Sequence, residues 1–230
     1  MQADKKAVGK RRAGKAMPLK REKIVTTALK LVDRDGLKAL SMRRLGAELG
    51  VDPMAVYYHI PNKEALLDAI VEAVMAAIDL TVYHPEDTPV ERVMCAARAY
   101  RDAMLAHANA LPIVLSRGPA TSAALVPVEL LTGILREAGL PPAEAYSGMN
   151  TIAAAVRGFV GMLAFGGSKS PTREEIEAMA RSLPDGEFPH LREAMPYMGQ
   201  FADYGFDFGI RALACGLIAE AKRNMLTNVN

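Results

Sequence analysis

Tryptophan is absent from the 230 residues, and Tyr and Phe together number only thirteen, alongside two cysteines and four histidines. Cys95 and Cys215 lie far apart and fit no paired metal-ligand spacing, which argues against a zinc ribbon or a disulfide-stapled scaffold. The N-terminal stretch is basic and polar with no apolar run behind it, so no secretory leader is expected and a reducing cytoplasm is the predicted setting. H-E-x-x-H, G-x-S-x-G and a phosphate-binding glycine loop are all missing, and His59, His84, His107 and His190 show no ligand spacing. An enzyme or a small-molecule carrier is therefore the weaker alternative, and neither a metal nor a cofactor is expected.

Half of the residues are hydrophobic and 23% are charged, enough for a sizeable core in one or two domains. The formal net charge of +2 conceals an uneven distribution. Residues 1–23 hold nine Lys or Arg against two acids, which leaves the remainder at −5. A basicity so localised points to a polyanionic partner for the N-terminal end. Residues 1–18 lack apolar periodicity and read as a disordered arm, either laid along phosphates or into a minor groove, or simply a solvated tail.

Beyond the arm the pattern is helical throughout, so an all-α fold is predicted. "REKIVTTALKLVDRDG" places Ile24, Ala28, Leu31 and Val32 on one face and stops at Gly36. "SMRRLGAELG" opens on Ser41, a good N-cap, and closes at Gly50. In "VDPMAVYYH", Asp52 caps and Pro53 occupies the first helical position, while Pro61 ends the helix. Asn62 then caps a fourth helix with an apolar stripe of Leu66, Leu67, Ile70, Val74 and Ile78. Three short helices in tight succession, the last two separated by "GVD", form the pattern of a helix-turn-helix DNA reader. Val56 and Ile60 are its expected inward anchors. Tyr57 and Tyr58 are free to offer hydroxyls to phosphate, and His59 and Lys63 to add donors. Two packing alternatives stay open: Tyr57 against helix one, and His59 on a backbone carbonyl.

Residues 21–70, above all "LSMRRLGAELGVDPMAVYYHIPNKEALLDAI", resemble the DNA-binding domain of the TetR family of bacterial transcriptional regulators. "FADYGFDFGIRALACGLIAE" and "FPHLREAMPYM" are similar to the last helix, and the loop before it, of the subgroup nearest tetracycline repressor. The resemblance implies a helix-turn-helix domain over residues 19–66 and a helical ligand-binding and dimerisation domain over 67–226. It implies DNA contacts at Ser41, Met42, Arg43, Pro53, Met54, Ala55, Tyr57, Tyr58, His59 and Lys63. A guanidinium is suited to guanine O6 and N7, which makes Arg43 the preferred base reader.

In the second half, "TPVERVMCAARAYRDAMLAH" starts on a Thr cap and aligns Val90, Val93, Met94, Ala97 and Met104. "ATSAALVPVELLTGILREAGL" follows, with an interruption or kink expected at Pro127. "PPAEAYSGMNTIAAAVRGFVGMLAFGG" is apolar for some twenty residues, yet central Arg157 and the lack of a second such segment favour burial in protein over a membrane span. Thirteen methionines supply adaptable walls for an apolar effector, though most methionines are ordinary core filler. The expected pocket comprises Tyr100, Met104, Val114, Arg117, Met149 and Phe165. Val114 and Asp79 stand where tetracycline repressor-like proteins carry ligand-site histidines, so a metal-free hydrophobic effector is expected. The expected dimer interface comprises Gly205, Gly209 and Gly216 with Arg157 and Asp207 as a charge pair; packing within one chain is the alternative. The implied function is a homodimeric repressor released from a palindromic operator by its ligand, with an activator or a sequence-tolerant DNA binder as the alternative.

Overall fold

The computed structural model describes residues 19–81, 84–118, 121–165, 171–184, 186–200 and 204–227, so the basic arm expected over residues 1–18 lies outside the described residues. Among the described residues there are eleven α-helices and no strand. Helix α1 (Arg21–Asp35) ends where Gly36 takes φ 79°, and a short turn leads to Ser41. The Ser41 hydroxyl accepts from the Arg44 N–H and starts α2 (Met42–Leu49). Gly50 then adopts the left-handed conformation at φ 68°, which a residue without a Cβ enters without strain. Asp52 caps α3 (Pro53–His59) through the Met54 N–H at 2.8 Å.

The tightness of the α2–α3 turn depends on Gly46. A Cβ there would meet the Val51 carbonyl oxygen at 3.1 Å and the Pro53 Cα at 3.2 Å. Val56 and Ile60 close the small core against Ile24, Leu31, Leu45 and Leu66, all nearly inaccessible, as their spacing predicts.

Helix α4 (Lys63–Ala76) links this head to the rest of the molecule. It packs along α1, α5 (Pro89–Ala106), α6 (Leu111–Ser116) and α7 (Ser122–Glu137). The expected boundary at residue 66 therefore falls inside a continuous helix. Ile78 lies just past its end and is buried in a small satellite cluster with Ala99 and Ala103. A second tie joins α1 to the loop after α5. His107 Nδ1 lies 3.0 Å from Asp33 Oδ2, and the Asn109 amide donates to the Asp33 carbonyl at 2.8 Å.

The second domain is built on α5, α7, α8 (Pro142–Phe165) and α11 (Phe206–Thr227), which pack on one another around Val93, Met94, Ile134, Ile152, Val156 and Phe206. Thr88 and Glu91 form a reciprocal capping box at the start of α5. Pro127 sits inside α7, which runs on without interruption. Gly148 lies where α8 meets both α7 and α11, and a Cβ there would stand 3.1 Å from side-chain methyls of Leu135 and Leu217. The helix α8 is long and apolar enough to span a membrane by composition, but it packs on α5, α7 and α11. Peripheral α9 (Arg173–Ser182) and α10 (Pro189–Ala194) are joined by Arg192, which donates to the carbonyls of Ala180, Leu183, Glu187 and Pro184.

Candidate nucleic-acid interface and effector cavity

On α3 the turns that bury Val56 and Ile60 force the intervening side chains outward. Met54 is 71% exposed and Tyr58 87%, with Tyr57 beside them. Large apolar or ring side chains left this open on a short helix are not used by the core. The His59 ring is half-buried and meets Tyr58 edge-on, with centroids 5.2 Å apart. Pro53 and Ala55 are half-buried, and Lys63 is exposed where Asn62 opens α4. From α2, Arg43 points into solvent, whereas neighbouring Arg44 is held by Asp35 at 2.6 Å. Arg34, bound to Glu48 and Asp35, completes this small ionic patch. The guanidinium of Arg34 holds the Asp35 and Glu48 carboxyls below their usual range.

One expected contact is corrected. Met42 is only 6% exposed and packs in the core beneath α1, so its side chain does not reach a DNA surface. It occupies the first helical position after the cap, which here turns inward.

The second site is a cavity of about 340 Å³ whose wall draws on α4, α5, α7 and α8. Met75, Tyr100, Leu131, Met149 and Ile152 give it an apolar lining, and Tyr146, Asn150 and Arg157 supply polar groups. Its size and mostly apolar wall with a few polar groups suit a small organic molecule. Burial pushes the Tyr100 phenol above its ordinary value, and the positive charge of Arg157 acts in the opposite direction.

Of the expected pocket residues, Tyr100 and Met149 line this cavity and four do not. Met104 and Val114 are committed to the core. Arg117, at the end of α6, reaches back to Glu64 and Asp68 on α4. Phe165 is exposed at the far end of α8. Asp79 lines a different surface cleft with Cys95 and Arg98, and accepts from Thr81. Met75, Tyr146 and Asn150 escaped the sequence reading, since their convergence depends on how four helices cross. Among the described residues no group of three His, Cys, Asp or Glu is placed to hold a metal ion.

Within the chain, Arg157 and Asp207 do not pair with each other. Asp207 binds Arg98, whose Nε lies 3.0 Å from its carboxylate, while Arg157 faces the cavity. Gly209 and Gly216 have open space where a Cβ would stand, and Gly205 is half-buried just before α11. The exposed face of α11 carries Phe208, Ala212, Cys215 and Ala219 at helical spacing. That of α8 carries Thr151, Ala154, Gly158, Met162 and Phe165. Both stripes are small or apolar.

A recognition helix stripped to its exposed rings, mounted on a helix that runs into a second all-helical domain, defines the class of helix-turn-helix transcriptional regulators. Two family models match in the same order: "Bacterial regulatory proteins, tetR family" over residues 24–70 and "Tetracyclin repressor-like, C-terminal domain" over residues 83–220. The chain belongs to the TetR family of DNA-binding transcriptional regulators, whose members are not enzymes. It is 29% identical over 212 residues to an HTH-type transcriptional regulator of Saccharopolyspora erythraea, covering 88% of this chain and 86% of that one. It is 27% identical over 221 residues to the HTH-type transcriptional repressor DrrR1 of Streptomyces coeruleorubidus, covering 85% of this chain and 76% of that one. The structure resembles that of ActR from Streptomyces coelicolor in complex with actinorhodin, with a TM-score of 0.75 and 29% identity over 89% of this chain and 99% of ActR.

Proposed function

We propose that this regulator is a cytoplasmic homodimeric repressor that reads a palindromic operator and releases it when a small, mainly apolar effector enters the cavity without a metal. The observation that carries this reading is the position of α4. Its first residue, Lys63, is exposed and separated from the end of α3 by three residues, its Glu64 and Asp68 are gripped by Arg117, and its Met75 forms part of the cavity wall. A molecule pressing on Met75 acts on the helix that aims the head. In a dimer that motion changes the distance between two recognition helices, which must match half-sites about one helical turn apart. Linkage then requires that effector weaken DNA binding by the same factor by which DNA weakens effector binding.

Two kinds of support join the geometry. The relative DrrR1 is named a repressor, and ActR binds actinorhodin. The exposed small and apolar stripes of α8 and α11 are suited to a four-helix contact with a second copy. The test is in vitro transcription from a promoter that overlaps DNA selected by the purified protein. Transcript falling as protein is added supports repression; transcript rising identifies an activator.

A further inference from the structure

The cavity contains one charge. Among the described residues that line it, Arg157 alone carries a charged side chain, in a wall that is otherwise apolar apart from Tyr100, Tyr146 and Asn150. Its Nε donates to the Ala153 carbonyl at 3.3 Å, one turn back on α8. Among the described residues its terminal nitrogens find no carboxylate. Arg136 and Arg192 of this domain also end on backbone carbonyls, but neither lines the cavity, and other arginines meet carboxylates. Arg92 binds Glu137, Arg98 binds Asp207, Arg101 binds Asp102, and Arg117 binds Glu64 and Asp68. A half-buried guanidinium beside apolar walls has lost part of its hydration without gaining a counter-charge, which is unfavourable unless an anion completes it. The fork of a guanidinium takes a planar oxyanion on two parallel hydrogen bonds. The Tyr100 phenol shares the cavity and is close enough to feel the charge of Arg157, so it can offer a further donor to the same anion.

We propose that the effector is an acid: an apolar body seated against Met75, Leu131 and Met149, with a carboxylate or an equally acidic oxyanion on Arg157. This rests on the reading of the cavity as the effector site. It also assigns Arg157 a ligand-selecting role in place of the interface role its sequence position suggests. Neutral molecules of the same shape leave the guanidinium uncompensated and bind less well.

A pair of fluorescent probes isolates the charge. 8-Anilinonaphthalene-1-sulfonate and N-phenyl-1-naphthylamine share one skeleton and differ by the sulfonate. Both are titrated into the full chain as wild type, Arg157→Gln, Arg157→Lys and Met149→Trp, each checked for an unaltered melting temperature and circular dichroism spectrum. The proposal expects Arg157→Gln to weaken the sulfonate probe by about tenfold or more while the neutral probe changes less than about twofold, with Arg157→Lys restoring most of the loss. Met149→Trp, which fills the cavity, should weaken both probes. Equal binding of the sulfonate probe to wild type and Arg157→Gln overturns the acid inference and leaves the cavity reading intact. Retention of both probes by Met149→Trp, or no binding of either probe to wild type, overturns the cavity reading and the inference with it.

Discussion

Tyr58 and Met42 stand on adjacent helices of one small head, yet one is almost wholly exposed and the other almost wholly buried. Tyr58 contributes nothing to the core, so Tyr58→Ala should leave the melting temperature unchanged. The same substitution, or Arg43→Ala, should weaken binding to selected DNA by about 1–3 kcal/mol, read by fluorescence anisotropy. Unchanged affinity in both would remove this face from DNA recognition. Met42→Ala should behave in the opposite manner, costing about 2–5 kcal/mol of stability in urea unfolding. Exposure of the α3 side chains was legible in the sequence, since "VYYHIP" places Val56 and Ile60 four apart and leaves two tyrosines between them. The burial of Met42 was not. Family resemblance marks a position, but which way that position turns depends on the packing of α2 against α1.

Elements carry two further expectations. The α2–α3 turn tolerates no Cβ at Gly46 without moving the backbone of Val51 and Pro53. Gly46→Ala should lower stability by about 1–3 kcal/mol, seen as a lower urea midpoint at constant slope. Because the displaced element is α3 itself, DNA affinity should fall by more than the loss of folded protein accounts for. Helix starts and stops were the most legible feature of the chain. Ser41, Asp52, Asn62 and Thr88 each cap the helix that their side chains foretell. Partnerships between helices were not legible. Asp207 lies on α11 and its partner Arg98 on α5, 109 residues away, and nothing in either segment names the other. The cavity shares this limit, since Tyr100 is marked by family resemblance and Met149 by its type, whereas Arg157 reads from the sequence as an interface charge paired with Asp207 and lines the cavity instead.

Whole-molecule behaviour turns on the uncovered stripes of α8 and α11. Phe208 is 62% exposed at the start of the α11 stripe, and Cys215 lies in the middle of it. A second copy seated there covers both. Phe208→Asp should therefore convert a dimer into a monomer in sedimentation, with an unaltered helical spectrum and a loss of more than about tenfold in affinity for two-half-site DNA. Iodoacetamide should modify Cys215 slowly in the wild type and rapidly in that monomer. Burial pushes the Cys95 thiol up, so Cys95 should react slowly in both. Rapid modification of Cys215 in a wild type that sediments as a dimer would place the interface elsewhere.

The central claim is that two copies of the α3 face read sequence together. Its most direct test is selection of bound DNA from a random pool by the purified protein at physiological salt, followed by sequencing. Enrichment of an inverted repeat whose half-sites are centred about 34–36 Å apart is the expected result. Tight binding without enrichment, or enrichment of a site with no internal symmetry, would contradict it.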